Sequence, residues 1–187
     1  MQQFKLSIQN EKAGIYKKLA SFIILLSVAV FAILIYYTNQ SGTRTGSITA
    51  IIIIAVYFIL NKILPAGKKP RFEFESSALF IIGFTWLLMM YWWPAAIFFV
   101  LLFLYKVSQR PLIVSVSSNA VIYPSFPKKE ITWNELNNIV LKDDLLTIDF
   151  KNNKIIQQLI QKKEPAVDER EFNEFCKTQL KSGMAII

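Results

Sequence analysis

The sequence predicts two parts of different class: a multi-span α-helical membrane region, then a small α+β domain of antiparallel strands closed by a carboxy-terminal helix. Three observations predict it. Hydrophobic residues make up 53% of the 187 and charged residues 18%, with positive mean hydropathy, a balance that fits an integral membrane protein with a soluble part. The longest continuous apolar runs lie before Lys106. From Pro111 onward the chain changes to short β-branched and aromatic runs broken by turn residues, the pattern of antiparallel strands. The boundaries that follow are a transmembrane region over residues 1–110 and a cytoplasmic domain over 111–187.

The first span is read over residues 19–37, "LASFIILLSVAVFAILIYY", which carries no charge and ends in a tyrosine pair suited to a membrane interface. It exceeds the apolar length of a secretory signal and no small-x-small cleavage site follows it closely, so it reads as a retained anchor. The second span covers residues 47–64 and includes Lys62, whose stem can snorkel.

The third stretch, Ala78 to Tyr105, runs without a charge around Trp92, Trp93 and Pro94. As one helix it would be about 42 Å long, more than the roughly 30 Å of a hydrocarbon core, yet two full spans need about 40 residues. Charge placement distinguishes the two readings. Residues 1–110 hold 11 Lys and Arg against 3 Asp and Glu, whereas residues 111–187 hold 10 and 10. The excess clusters at Lys5, Lys12, Lys17 and Lys18, at Lys62, Lys68, Lys69 and Arg71, and at Lys106 and Arg110, while the loop Asn39 to Gly46 has Arg44 alone.

A hairpin puts all three clusters on the cytoplasmic side, as the positive-inside rule favours, with both termini cytoplasmic. Its spans are about 76–93 and 94–107, its turn is Trp92, Trp93 and Pro94, and Tyr91, Trp92 and Trp93 mark the outer interface. The arms are short for a full span. The alternative is one long, proline-kinked, tilted helix, which would place the carboxy-terminal domain outside.

In the soluble part, strands are expected near Leu112–Val116, Ala120–Tyr123, Lys129–Trp133, Asn138–Lys142, Leu145–Phe150 and Lys154–Ile160. Turns fall at Ser117-Ser118-Asn119, Pro124 to Pro127, Asp143-Asp144 and Asn152-Asn153, the last two as two-residue hairpins. Leu146, Ile148 and Phe150 share one face, Thr147 and Asp149 the other, so one face is buried and one wet. A closing helix follows, with Asp168 as N-cap, Glu171 three residues on, an apolar stripe of Phe172, Phe175, Cys176 and Leu180, and a stop at Ser182-Gly183.

These elements carry a resemblance. The "K-x-I-x-W-x-E-L" turn at Lys129, Ile131, Trp133, Glu135 and Leu136, the "L-x-I" strand at Leu146 and Ile148, and the closing helix "DEREFNEFCKTQL" resemble the bacterial pleckstrin-homology-like (PH-like) membrane proteins over roughly residues 112–182. The resemblance implies a PH-like domain that binds lipid headgroups or peptides. Six strands are expected where the family usually has seven, which leaves a merged strand near Trp133–Asn138 or an abbreviated barrel.

Several activities are disfavoured by what the chain lacks. It has no histidine, the commonest general base and metal ligand. Cys176 is its single cysteine, placed on an apolar stripe as an inert thiol, and no internal disulfide can form. No phosphate-binding glycine loop, nucleophile elbow or zinc spacing occurs. Asp143 and Asp144 sit where a hairpin needs turn formers, which favours a turn over a metal site. No ionisable side chain lies inside the apolar runs, unlike a pump or proton-coupled transporter. No basic face marks the soluble part, so nucleic acid is not an expected partner. Catalytic, cofactor and metal sites are expected to be none.

The candidate contacts are therefore few. Lys106, Arg110, Lys128 and Lys129 are the expected lipid-headgroup or ligand contacts, although the plainer reading is a solvated loop beside topogenic charges, since Glu130 adjoins the pair and the first strand turn is uncharged. Glu73 and Glu75 can cap a helix start with Ser76 or Ser77, pair with Lys68 and Lys69, or handle a proton. The leading expectation is a non-enzymatic inner-membrane protein presenting its PH-like domain to a protein partner or to itself, in contact with membrane lipids. The runner-up is a ligand-gated membrane effector, whose soluble domain binds a small anionic ligand and whose short hairpin perturbs the bilayer. An enzyme acting on lipids through Glu73 and Glu75 comes third.

Overall fold

Phe4, Leu6 and Ile8 alternate with Gln3, Lys5 and Ser7, a period of two that a strand buries on one face. In the computed structural model, which describes residues 3–64, 73–161 and 167–184, this segment is strand β1 (Gln3–Ile8). The elements that follow are α1 (Ala13–Tyr37), α2 (Ser41–Ile63), α3 (Phe74–Leu88), α4 (Trp92–Ser108), β2 (Leu112–Ser117), β3 (Ala120–Tyr123), β4 (Lys129–Thr132), β5 (Leu136–Lys142), β6 (Leu145–Phe150), β7 (Ile155–Leu159) and α5 (Glu169–Met184). The chain divides into a β unit, Met1–Asn10 with Pro111–Ile187, and a helical unit, Glu11–Arg110.

The β unit holds two antiparallel sheets, one ordered β1-β2-β3-β4 and one β5-β6-β7. β1 pairs with β2 along its full length, from Gln3 opposite Ser117 to Ile8 opposite Leu112. The units divide between Arg110 and Pro111, where the sequence reading put its boundary, and also between Asn10 and Glu11, where it put none. Residues 3–8 belong to the β unit, because their alternating apolar face joins its core, and Lys5 lies on a strand rather than in a membrane-flanking cluster. Seven strands are described rather than the six expected, the added one being β1.

The core lies between the sheets and α5: Leu6, Val114, Val116, Ile131, Leu136, Ile139, Leu146, Ile148 and Phe172 are all buried. Phe172 meets Phe4 edge to face at 5.4 Å between centroids, a favourable aromatic geometry. Asp168 caps α5, its Oδ1 accepting from the main-chain N–H of Arg170 at 2.8 Å and of Glu171 at 3.3 Å. Asn173 ties that helix to β5 twice: its side chain accepts from the Leu141 N–H and donates to the Leu141 carbonyl, both at 2.8 Å.

Smaller expectations shift as well. Trp133 lies not in a strand but in a 3-10 turn, Trp133–Glu135, held by a capping box between Thr132 and Glu135, so β5 begins at Leu136. Asp143 and Asp144 form the two-residue hairpin, with φ of 52° and 61°, values that aspartate tolerates better than most residues. The turn at Asn152-Asn153 is longer than two residues: Lys151 to Lys154 link β6 to β7, closed by the Phe150 N–H donating to the Lys154 carbonyl. α5 continues through Ser182-Gly183 to Met184, where the described residues end.

In the helical unit, α1 and α2 are long and apolar enough to cross a membrane, about 37 and 34 Å at 1.5 Å per residue. α3 and α4, of 15 and 17 residues, are shorter, about 22 and 26 Å. Side-chain contacts fix an up-down-up-down order. Phe31 meets Trp86 and Ser21 meets Glu75, so α1 and α3 run parallel; Phe58 meets Phe74 and Gly46 meets Met89, so α2 opposes α3. The bundle closes where Gln109, capping α4, donates its side-chain N–H to the Ala13 carbonyl at the start of α1 (3.0 Å).

Ala78 to Tyr105 forms a hairpin of two helices, and its turn is displaced from Trp92, Trp93 and Pro94 to Met89, Met90 and Tyr91. The Tyr91 N–H reaches the Trp86 carbonyl and the Met90 N–H that of Leu87, both at 3.0 Å, with Met90 at φ 64°. This is a Schellman closure with methionine where glycine is usual. Trp92, Trp93 and Pro94 instead form the first turn of α4. Proline fits there because an amide in a first turn has no intrahelical acceptor to lose. Gly83 lets the arms approach: a Cβ there would sit 3.1 Å from the Phe98 Cβ.

Candidate functional site

The most concentrated polar chemistry in the helical unit lies where α3 begins. Glu73 holds the N-cap position of α3 without a side-chain capping bond, and Glu75 lies in its first turn, where a carboxylate is favoured by the helix dipole. Glu75 is only 6% exposed. Burying a carboxylate that deeply requires compensating partners, and the neighbouring helices supply them. Lys17 of α1 brings Nζ to 3.8 Å of Oε1, and Ser21, one turn on, donates to the same oxygen at 3.5 Å.

Tyr105, in the last turn of α4, joins the two carboxyls. Its hydroxyl stands 2.9 Å from Glu73 Oε2 and 3.4 Å from Glu75 Oε2. A phenol has one proton to donate, and the shorter contact takes it. Two carboxylates near one oxygen repel each other, so the Lys17 ammonium offsets charge that the phenol cannot. The cluster thus ties α1, α3 and α4 together at one end of the bundle. No group of three metal-ligating side chains occurs among the described residues.

The roles expected of these glutamates are partly redistributed. Ser76 Oγ donates to the main-chain oxygen of Glu73 at 3.1 Å, and Ser77 pairs with the Tyr57 hydroxyl at 3.3 Å. Lys68 and Lys69 lie outside the described residues. The tyrosine and the lysine that meet Glu73 and Glu75 were missed because they lie far away in sequence. The available signal was weak: Tyr105 and Lys17 each sit where an apolar run meets charge.

Beside this cluster a groove of about 650 Å³ opens among α1, α2 and α3. Its polar end carries Lys17, Ser21, Asn61, Lys62 and Glu75, and its walls are apolar, including Ile24, Val28, Ile51 and Ile54. Lys62 lies over the Phe58 ring at 5.7 Å.

The expected contact residues divide between the units. Lys106 and Arg110 belong to the helical unit, Lys106 lining a cavity of about 310 Å³ with Tyr57, Ser76 and Ser77. Lys128 and Lys129 are exposed in the β unit, at the start of β4. Lys129 Nζ lies 5.5 Å from the Phe150 ring centroid, a cation–π contact that turns it from β4 towards β6 of the other sheet. Trp92 and Trp93 are exposed at the start of α4.

Cys176 is buried in the β unit beside Phe172 and Leu180, and burial pushes its thiol up to about 12. At neutral pH it stays protonated and a poor nucleophile. Set against known proteins, the chain matches no family model, no curated protein and no solved structure.

Proposed function

We propose that the protein is a non-enzymatic, membrane-anchored binding module: the helical unit is a four-helix anchor in a bacterial inner membrane, and the β unit is a cytoplasmic PH-like domain that docks a protein partner or a second copy of the chain. The observation that carries this reading is the β unit's plan, four strands and three strands closed by α5, joined to a unit with two helices of spanning length. Seven strands agree with the count that the resemblance implies. β1 precedes the helices and pairs with β2 after them, so the helices form one excursion that leaves the β unit and returns to it. An even number of crossings follows, with both termini on one side, and the basic clusters favour the cytoplasm for that side.

The docking surface on this reading includes the Ile155 end of β7, the last strand of its sheet, where Ile155 is 60% exposed; the other end already meets the β1 segment, the Gln9 N–H donating to the Leu159 carbonyl. Edge strands with apolar side chains pair readily with other chains. The test is cross-linking in native membranes followed by purification. Cross-links from the β unit to a partner or a second copy, lost in Ile155→Asp, are expected; a strictly monomeric chain without cross-links overturns the proposal.

A second reading, the ligand-gated effector, draws on the lengths of α3 and α4. Helices of about 22 and 26 Å fall short of a roughly 30 Å core and thin the bilayer around them. Leakage of vesicles on addition of a nucleotide, abolished by Lys129→Glu, would favour it; intact vesicles with every anionic ligand tried would exclude it.

A further inference from the structure

We infer that the groove among α1, α2 and α3 seats one anionic phospholipid of the surrounding bilayer, its phosphate between Lys17 and Lys62 and one acyl chain along Ile24, Val28, Ile51 and Ile54. This rests on the proposal that the helical unit lies in a membrane. The groove is polar at one end and apolar along the rest, the pattern of an amphiphile. From Lys17 to Val28 on α1, and from Lys62 to Ile51 on α2, it extends about 16 Å along the helix axes.

The charges at its head complement one phosphodiester. Two ammonium groups and one carboxylate line that end, an excess of a single positive charge. Glu75 is nearly buried and lies 3.8 Å from the Lys17 ammonium, whose side chain is 57% exposed, so the ammonium is tethered at the groove head and still open to a ligand. Asn61 supplies an amide donor beside Lys62. Both lysines are exposed beside apolar walls, and an anion seated against such walls is screened less than one in bulk water. The membrane depth also fits: lysines near helix ends carry their charge to the interface, where lipid phosphates lie. A zwitterionic lipid adds a positive charge that these lysines oppose, so the site selects a net-negative headgroup.

The test uses the full chain, purified in an uncharged detergent and depleted of lipid. Thermal unfolding and native mass spectrometry are followed while phosphatidylglycerol, phosphatidylcholine or glycerol 3-phosphate is added. Phosphatidylglycerol is expected to raise the midpoint and to be retained as a single adduct, with phosphatidylcholine weaker and glycerol 3-phosphate without effect. Lys62→Gln and Lys17→Gln should each weaken phosphatidylglycerol about fivefold, from roughly 1 kcal/mol per basic side chain. Val28→Trp, which fills the apolar wall, should abolish the adduct, and Arg44→Gln should leave it unchanged.

Equal response to both lipids, or undiminished binding in both lysine variants, overturns the inference. Binding of glycerol 3-phosphate as strong as that of the lipid overturns it too, by showing a free-anion site. If the wild-type chain is absent from the membrane fraction, the membrane reading itself fails; if it is present and indifferent to phosphatidylglycerol, the groove inference alone fails.

Discussion

Ile8 and Leu112 are antiparallel partners at the end of the β1–β2 ladder, although the whole helical unit lies between them in sequence. The pairing makes the helices an insertion between two neighbouring strands. Within the helical unit the Gln109–Ala13 hydrogen bond closes the same loop. The β unit is thus made from both flanks of the helical unit.

Topology is the first consequence. In a Cys176→Ala background, Asn39→Cys and Tyr91→Cys should both react with an impermeant maleimide from the outside of intact cells, whereas reporters fused before Met1 and after Ile187 should both be active inside. Reporters of opposite activity at the two ends would contradict the proposed even number of crossings.

β1 should be needed for the β unit. Leu6 is 2% exposed in its core, and placing a carboxylate there costs several kcal/mol, enough to unfold a small domain. Limited proteolysis of Leu6→Asp should degrade residues 111–187 while the helical unit stays in the membrane fraction. Lys5→Gln, on the wet face, should resist like wild type; a resistant Leu6→Asp would refute the strand.

Two substitutions separate strain from packing in the α3–α4 hairpin. Met90 adopts φ 64°, which costs a residue with a Cβ about 1 kcal/mol relative to glycine, so Met90→Gly should raise the unfolding midpoint by a few degrees. Gly83→Leu has no such room, since even a Cβ would meet Phe98 at 3.1 Å, and overpacking of this kind costs about 1–3 kcal/mol. The midpoint in detergent should fall.

Cys176 should be silent until the β unit opens. Its thiol is pushed up to about 12 by burial, and the folded protein keeps the proton at any ordinary pH; unfolding returns the group to near 8.5. Raising pH from 8.5 towards 12 therefore favours the unfolded state, whose thiolate forms first, and stability should decline over that range relative to Cys176→Ala. Maleimide labelling at pH 7.5 should be negligible in the folded chain and complete in denaturant; rapid labelling of folded protein would show an accessible thiol.

Patterns of short period were legible from residues alone. The two long apolar helices, the strand at Leu145–Phe150, the Asp143-Asp144 turn and the Asp168 cap all follow from neighbours within about a turn or a strand, because the forces that make them are local. Pro94 was legible as a helix breaker but not as the third residue of α4, since a proline is compatible with both a turn and a first helical turn. β1 was hidden because six alternating residues before a lysine-flanked helix look like a topogenic tail. The Glu73–Tyr105–Glu75–Lys17 cluster was hidden because its members come from three helices.

The kind of each element is thus written in the order of residues: apolar length makes the long helices, and alternation makes strands with one buried face. Which distant pieces complete each other is settled only in the packed fold. β1 finds β2 across the helical insertion because its row of N–H and C=O groups must pair with another strand's, and Glu75 finds Lys17 because a buried carboxylate must be met by charge. Both requirements are written locally, but the partner that satisfies each is set by how the chain packs.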